Sequence, residues 1–294
     1  MSEWNLPYDL DATANAFRDK FGHLSADEWC DLQVASMTWP VIGGLEFPHF
    51  APQEVQERTH GTSGEAALRE AAGFYKFVSS KAFFRQKAIP AAHFLDFGAG
   101  WGRIGRYFLR DFDLNCFFAF EPRRTVCFLA RSLNPYLCAF SGEEIPDQAL
   151  PANWFDFVVG WSVFSHLSEF STSAWLTELA RIMRPDGYCV LTTFGMRFLD
   201  HLAQCQADLK DGKEIHWYYQ NCLDAAGDLA EQRRRYLRGE FVWLPDPLSK
   251  HYGQATVLHE KTLMKIVRTE KLPFELIEFD HESLNMDVFI LRRQ

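Results

Sequence analysis

Three observations predict a doubly wound α/β fold for this 294-residue chain. Short apolar runs alternate with amphipathic segments between residues 93 and 194, which is the pattern of a parallel sheet covered by helices. A turn rich in glycine follows the first apolar run. Two more apolar runs, separated by a polar turn, end the chain and predict an antiparallel hairpin at the sheet edge.

The composition argues against several classes of protein. A formal net charge of −9 gives no global attraction to phosphate backbones, so we do not expect nucleic acid as a partner. Hydrophobic residues make up 47% of the chain and include 27 Phe, which is enough for a large core. The first twenty residues contain four acids and no long apolar run. We therefore expect a cytoplasmic protein with no signal peptide, spanning helix or membrane partner.

The seven cysteines form no Cys-x-x-Cys pair, and several lie inside apolar runs. Buried free thiols are the expected state. A structural zinc site needs clustered Cys and His ligands, and this sequence scatters them, so we predict no metal.

Residues 1–90 are predicted to form a helical extension. Thr62, Ser63 and Glu65 have the spacing of a capping box, and apolar residues then recur at helical intervals. One amphipathic helix is therefore expected from about 64 to 84. The sequence leaves open whether the extension covers the ligand pocket or forms the surface of a homodimer.

Seven strands are predicted after residue 90, connected mainly by helices. They cover residues 93–97, 116–120, 137–140, 155–161, 188–194, 274–279 and 287–291. A helix from about 102 to 109 follows the first strand, and Pro122 opens the next helix at its first position. Ser171 is expected to cap a further helix, which ends at 184–187.

Residues 195–273 form a connection much longer than a crossover helix requires. The segment carries a charged helix around 224–238 and aromatic clusters at 217–219 and 241–243. It is predicted to be a lid that shapes a substrate pocket and excludes water. The alternative is a helical buttress without substrate contact.

The glycine-rich turn carries the chemical signal. Gly98, Gly100 and Gly102 stand at alternate positions after a strand, where the backbone can pass close to a ligand. Glu121 ends the second strand and can accept both hydrogen bonds of a ribose diol. Asp96 suits a cationic amino-acid ligand and would repel a pyrophosphate. The pattern therefore favours S-adenosylmethionine (SAM) over NAD.

At these residues the sequence resembles the class I SAM-dependent methyltransferases. Residues 96–102 match the family's Asp-x-Gly-x-Gly-x-Gly run, Glu121 the acid ending the second strand, and Asp156 the Asp opening the fourth. The resemblance covers residues 93–194 and implies a Rossmann-like seven-stranded sheet with an antiparallel terminal strand. It places a methyltransferase domain at 91–294. The run 97–103 resembles, more narrowly, a bacterial subgroup with a Phe-Gly-x-Gly-Trp-Gly-Arg motif, often associated with glycan or small-metabolite modification.

The predicted cofactor contacts lie in the turn and after the following strands. They are Asp96, Gly98, Ala99, Gly100, Trp101, Gly102, Glu121, Glu143, Trp161 and Ser162. The resemblance implies an acidic or amide residue near the adenine, for which Ser141, Glu143 and Glu144 are candidates. Arg103 is a candidate for the methionyl carboxylate or a neighbouring loop, and a solvated helix face is expected for Arg106.

A small-molecule or sugar hydroxyl is the expected methyl acceptor, because aromatic walls bind ring-shaped ligands well. The Asn/Asp-Pro-Pro-Tyr motif of enzymes that methylate nucleic-acid amino groups is absent, since residues 160–163 read Gly-Trp-Ser-Val. A hydroxyl acceptor calls for a base, and His166, after the fourth strand, is the first candidate. The alternative is a His166 that only packs beside the cofactor.

Other histidines and other classes of protein stay open at this point. His201, His216, His251 and His259 are alternative bases, whereas His23, His49, His60 and His281 are expected to be structural or solvent-exposed. An NAD(P)-binding oxidoreductase and a SAM-binding protein without catalysis are the competing functions.

Overall fold

The computed structural model describes residues 16–87 and 91–294. Two compact units are recognised. The first consists of Met1–Glu143, as far as it is described, and Trp154–Val159. The second consists of Glu144–Asn153 and Gly160–Gln294.

In the part of the chain that the structure describes, five helices and a small hairpin precede the sheet. They are α1 (Ala16–Phe21), α2 (Ala26–Ala35), the strands β1 (Val41–Ile42) and β2 (Leu45–Glu46), α3 (Gln53–His60), α4 (Gly64–Ser80) and α5 (Ala82–Lys87). The predicted helix at 64–84 is thus confirmed in the main, with a break at Lys81. The capping box expected there is wrong, because Ser63 Oγ donates to Glu57 and makes no cap bond.

The central sheet has the seven strands that the sequence predicts. The remaining strands are β3 (Phe94–Phe97), β4 (Phe117–Phe120), β5 (Cys138–Phe140), β6 (Phe155–Gly160), β7 (Met183–Thr193), β8 (Val242–Asp246), β9 (Ser249–Val257), β10 (Phe274–Asp280) and β11 (Asp287–Arg293). The sheet order is β10-β11-β7-β6-β3-β4-β5, and β8 and β9 pair separately. Strands β3, β4, β5 and β6 pair in parallel, whereas β11 is antiparallel to both β7 and β10.

The register of β3 builds the core of the first unit. Phe94 pairs with Phe117 on one side and with Phe157 on the other. The rings of Phe94 and Phe117 stack with centroids 4.9 Å apart, and all three side chains are buried. This layer lies at the amino ends of β3 and β4. At their carboxyl ends, where ligands bind in open α/β sheets, the rings of Phe97 and Phe120 stack with centroids 5.7 Å apart.

Two predicted helix boundaries are wrong. No α-helix covers 102–109. Gly102 has φ +91°, outside the helical region, and only a 3-10 turn forms over Gly105–Phe108. Pro122 lies two residues before α6 (Arg124–Leu133), whose N-cap is Arg123.

The helix before β7 begins earlier than predicted. Ser168, not Ser171, caps α7 (Glu169–Ile182), and its side chain accepts the N–H of Ser171. Residues 184–187, expected to end this helix, belong to β7.

The long connection after β7 has its own core. It contains α8 (Met196–Lys210), α9 (Trp217–Ala226), α10 (Leu229–Leu237), the β8–β9 hairpin and α11 (Glu260–Thr269). The helix predicted around 224–238 is two helices, separated at Gly227 and restarted by the cap Asp228. Leu199, Leu202 and Val257 are among the buried residues that join helices to hairpin.

The seven cysteines are unpaired, and all except Cys138 are buried, as predicted. Within the described residues, no helix is long and apolar enough to cross a membrane. No group of three or more His, Cys, Asp or Glu side chains in the same residues is placed to hold a metal ion.

Candidate active site

The glycine turn follows β3 in the first unit and has a left-handed backbone. Gly98, Gly100 and Gly102 have φ values of +73°, +57° and +91°, which side chains with a Cβ rarely adopt. The N–H groups of Gly98 and Ala99 donate to Phe120 O at 2.8 and 3.0 Å. The turn is therefore anchored to the carboxyl end of β4.

Glu121 joins this turn through its side chain. Its Oε2 accepts the N–H of Gly100 at 3.0 Å, and its Oε1 accepts the N–H of Arg123 at 3.1 Å. The residue is 3% exposed, although the Arg123 side chain bonded to it at 2.8 Å is half exposed. A carboxylate accepts about four hydrogen bonds and three are made here, so Glu121 keeps capacity for one hydroxyl donor. The structure brings Glu121 and the turn together, as the sequence predicts.

Asp96 makes a contact within the protein that the sequence did not indicate. Its Oδ2 accepts the N–H of Gly105 at 2.8 Å, and the residue is 1% exposed. Burial raises the pKa of this carboxyl to about 7, assisted by the negative charge of Glu121. Asp96 therefore holds the 3-10 turn, and its contact with the cofactor stays a prediction.

Trp101 is buried beside the turn and contacts the N-terminal segment. Its indole lies 6.1 Å from the Phe50 ring and 6.2 Å from the His60 ring, centroid to centroid. The indole Nε1 is buried and has no hydrogen-bond partner among the described residues. Ala99 is also buried.

The two arginines after the turn are both buried. Arg103 donates to Glu70 at 2.6 Å and to Ala67 O at 2.8 Å, so it binds the neighbouring α4 rather than presenting a free guanidinium. The solvated face expected for Arg106 is wrong. Its guanidinium donates to Gln33, Ser36 and Pro48 O, because α2 and the segment before α3 cover it.

The three candidates for adenine contact occupy unequal places after β5. Ser141 Oγ donates to Pro122 O at 3.3 Å. Glu143 is exposed and lies 3.9 Å from the Arg124 guanidinium. Glu144 belongs to the second unit, where its carbonyl accepts the indole N–H of Trp175. None of these contacts singles out one candidate.

In the second unit, the segment after β6 brings Ser162 and His166 together. Ser162 has φ +58°, rare for a residue with a Cβ, and its N–H donates to Thr192 Oγ1 at 2.7 Å. Its Oγ lies 3.0 Å from Ser165 Oγ and 3.4 Å from His166 Nε2. Trp161, just before, is 8% exposed.

The β8–β9 hairpin holds the other side of the His166 ring. His166 Nδ1 lies 3.2 Å from Gly253 O, and the ring stacks on Tyr252 at 5.3 Å with an interplanar angle of 10°. Because a carbonyl only accepts, Nδ1 carries the proton and Nε2 is the basic nitrogen. The inserted segment therefore selects the tautomer of His166.

The alternative histidines have structural partners. His216 and His259 cap α9 and α11, each accepting a backbone N–H at Nδ1. His201 contacts Cys205 Sγ at 3.6 Å, and His251 Nδ1 lies 3.4 Å from Ser171 Oγ. All four of these histidines lie in the long connection after β7. His166, in contrast, lies in the short segment that directly follows the sheet strand β6, with its basic nitrogen next to a hydroxyl.

The comparison with protein families decides the identity. A model of the methyltransferase domain family matches residues 67–246. The chain belongs to this family. It is a SAM-dependent methyltransferase, and SAM is its cofactor, so the oxidoreductase and non-catalytic alternatives give way.

Solved structures similar to this methyltransferase are distant in sequence. A TehB-like SAM-dependent methyltransferase from Corynebacterium glutamicum is 15% identical, with 76% of this chain and 88% of that chain covered and a TM-score of 0.45. Magnesium protoporphyrin IX methyltransferase from Synechocystis, with bound S-adenosylhomocysteine (SAH), is 12% identical over 81% and 93% of the chains, with a TM-score of 0.48. A SAM-dependent methyltransferase from Leishmania major is 13% identical over 90% and 83%, with a TM-score of 0.49. No curated protein matches the chain.

The residues of the first unit fit SAM. The acceptor-only carboxylate of Glu121 suits a hydroxyl donor of its ribose. The left-handed glycines at 98, 100 and 102 let the backbone approach the ligand, and Trp101 Nε1 offers a buried donor without a protein acceptor. The methyltransferase would thus hold the cofactor with the glycine turn and Glu121.

The aromatic clusters of the insertion divide into core and surface. Tyr218 is mostly buried and donates to Gln254 O at 2.9 Å, and burial raises the pKa of its phenol. Tyr219 lies 4.5 Å from the His201 ring, and Trp217 is 61% exposed. Trp243 Nε1 donates to His166 O at 3.4 Å. The second aromatic cluster therefore supports His166, which sequence spacing alone did not indicate.

Proposed function

We propose that this methyltransferase transfers the methyl group to a hydroxyl of a small molecule or sugar, with His166 as the general base. The observation that carries the proposal is the contact of His166 Nδ1 with Gly253 O. It leaves Nε2 as a proton acceptor, turned toward the hydroxyl of Ser162. A base in this state suits an acceptor whose proton must be removed.

The chain itself has to remove one proton and to orient the reacting groups. SAM supplies an electrophilic methyl carbon on a sulfonium sulfur, so the acceptor oxygen gains the methyl group and SAH remains. His166 Nε2 takes the proton of the acceptor hydroxyl, which contributes about 10²–10⁴ to the rate. Tyr252 stacks on the imidazole and Gly253 O orients it, so the base is held ready.

A small or glycan acceptor is supported by exposed and half-buried aromatic side chains in the insertion. Trp217 and Tyr219 present ring surface of the kind that binds planar or ring-shaped acceptors. The exclusion of nucleic acid, the homodimer, the cytoplasmic location and the bacterial subgroup stay predictions. The domain boundary near residue 90 and the adenine contact of Glu143 also stay predictions.

The test is the substitution His166→Asn. The Asn side-chain amide can still donate to Gly253 O but has no basic nitrogen. A panel of sugars and hydroxylated metabolites is first screened for the best acceptor, with methyl transfer from labelled SAM as the assay. With that acceptor, we expect the turnover of the variant to fall by about 10²–10⁴. SAH affinity, measured by calorimetry, should stay within about twofold, because His166 is proposed to act on the methyl acceptor. A change of that size corresponds to well under 1.4 kcal/mol.

His251→Asn is the matched control, because it makes the same change in a histidine of the insertion. It should leave turnover near that of the wild type. Full activity in His166→Asn would show that His166 only packs, and loss of activity in His251→Asn alone would move the base to that residue.

A further inference from the structure

The N-terminal segment lies directly against the glycine turn. A Cβ on Gly100 would meet Thr59 Cγ2, in the last turn of α3, at 3.5 Å. The next residue, His60, has its ring 6.2 Å from the Trp101 ring, with an interplanar angle of 33°. Phe50 contacts the same indole at 6.1 Å. Residues 50–60 therefore pack against the glycine turn.

Two ring nitrogens in this contact have no protein partner. His60 Nε2 and Trp101 Nε1 are both buried, and neither makes a hydrogen bond within the described residues. Buried polar atoms of folded proteins are nearly always paired, so two orphans on neighbouring rings indicate a missing group. An indole nitrogen can only donate. The missing group must therefore contain an acceptor atom.

The electrostatics of the contact favour a negatively charged acceptor. Burial and the nearby charge of Arg103 lower the pKa of His60 to about 3, so its imidazole is neutral and can donate from Nε2. Arg103 itself is occupied by Glu70 and Ala67 O and has its charge fixed beside the pair. The contact thus offers two uncharged donors near the Arg103–Glu70 ion pair, and a carboxylate, which has two acceptor oxygens, can accept from both donors.

We propose that His60 and Trp101 bind the α-carboxylate of the methionyl part of SAM and SAH. Both residues lie against the turn assigned to this cofactor, and they take the place of Arg103, which the sequence left open between the methionyl carboxylate and a neighbouring loop. The proposal rests on the cofactor assignment and is independent of the methyl acceptor.

Calorimetry with two ligands tests the proposal. SAH carries the carboxylate, whereas 5′-methylthioadenosine keeps the adenosine and the sulfur but lacks the amino-acid group. Trp101→Phe and His60→Leu should each weaken SAH binding about tenfold or more, as for loss of a hydrogen bond to a charged group. The affinity for 5′-methylthioadenosine should change less than about twofold in both variants, because this ligand has no carboxylate for the two residues to bind. A twofold change in affinity corresponds to a fraction of 1.4 kcal/mol.

Two control variants sharpen the result. His60→Gln, whose side-chain amide can place an N–H where Nε2 stands, should recover most of the SAH affinity. Trp39→Phe makes the same change as Trp101→Phe in a tryptophan that is 63% exposed, and it should alter neither affinity. In nuclear magnetic resonance spectra, the indole N–H signal that Trp101→Phe removes should shift with SAH and not with 5′-methylthioadenosine.

Unchanged SAH affinity in both variants would overturn the proposal, and so would an equal loss of both ligands. Binding of 5′-methylthioadenosine reports that a variant is folded, and His60→Leu keeps the indole if Trp101→Phe fails to fold. No acceptor is present in these titrations, so their failure would leave the role of His166 untouched.

Discussion

Glu121 shows at the scale of one residue how an acid both builds and uses the cofactor turn. Its carboxylate binds the N–H of Gly100 and keeps acceptor capacity for a ribose. We expect Glu121→Ala to weaken SAH binding more than about tenfold, because hydrogen bonds to a charged group are lost. Titration calorimetry measures this. Glu65→Ala, at an exposed acid paired with Arg69, is the control and should bind as the wild type does. Equal affinities in all three proteins would remove Glu121 from the site.

Asp96 predicts a pH dependence of stability. Its pKa is about 7 in the folded chain, above the ordinary value of 3.8, because burial penalises the charge. Below pH 3.8 the carboxyl is protonated in both states. Between 3.8 and 7 the folded chain keeps a proton that the unfolded chain releases, so the free energy of unfolding falls as the pH rises.

The substitution Asp96→Asn removes this contribution. The amide oxygen can still accept the N–H of Gly105, but it does not titrate. Urea unfolding between pH 4.5 and 7 should show a shallower loss of stability in the variant, by up to about 1.4 kcal/mol for each pH unit. Asp31→Asn, at an exposed acid, is the control. Parallel pH profiles for the wild type and Asp96→Asn would contradict the shifted pKa.

Single residues also show which parts of the site could be predicted. Glycine spacing and the acid after the second strand are local signals, so the sequence indicates the turn and Glu121, and their contact with the cofactor stays a prediction. His60 and Trp101 are 41 positions apart, and nothing in their spacing indicates contact. Arg106 was misplaced for the same reason, because its burial depends on Gln33, Ser36 and Pro48 from a distant segment.

At the scale of elements, the β8–β9 hairpin holds the candidate base and depends on one glycine. A Cβ on Gly253 would lie 2.2 Å from Trp243 Nε1 and 2.5 Å from Leu244 O, so no side chain fits there. Gly253→Ala should push the strands apart and break the bond from His166 Nδ1. We expect turnover to fall at least about tenfold with SAH affinity retained, because the base contributes only when correctly oriented.

The neighbouring variant Gln254→Ala serves as the control. The backbone carbonyl of Gln254 accepts the Tyr218 hydroxyl, and this bond does not depend on the side chain that is removed. Its turnover should match the wild type. Wild-type turnover in Gly253→Ala would mean that the hairpin does not position His166.

Elements were predicted well where apolar periodicity alone determines them. Each of the seven strands of the sheet was found to within a few residues, except that β7 begins at Met183, five residues early, across Pro185. The 3-10 turn and the hairpin were missed for a tertiary reason. The Gly105 N–H bonds to Asp96, and Gly253 is packed against Trp243, and neither contact leaves a periodic pattern.

At the scale of the whole molecule, the alternation of apolar runs predicted the central sheet, and the site expected at its carboxyl edge stays a prediction. The sequence could not predict how the long connection folds, since its segments are stabilised by each other. The basic run in α10 illustrates this, because Arg233, Arg234 and Arg235 each pair with an acid from another turn or another helix. Such exposed pairs add little stability, so the buried apolar residues of this segment hold it together.

Ligand binding should also be visible in the stability of the whole chain. A ligand that binds only the folded state adds about 2.7 kcal/mol at a free concentration one hundred times its Kd. SAH should therefore raise the Tm, and the rise should grow with the logarithm of its concentration. NADH should leave the Tm unchanged, because SAM, and not NAD, is the cofactor of this methyltransferase. Scanning calorimetry of the wild type and Glu121→Ala with each ligand separates the cases. A Tm that rises with NADH and not with SAH would contradict the cofactor, whereas a rise with SAH that Glu121→Ala abolishes would place the stabilisation at the glycine turn.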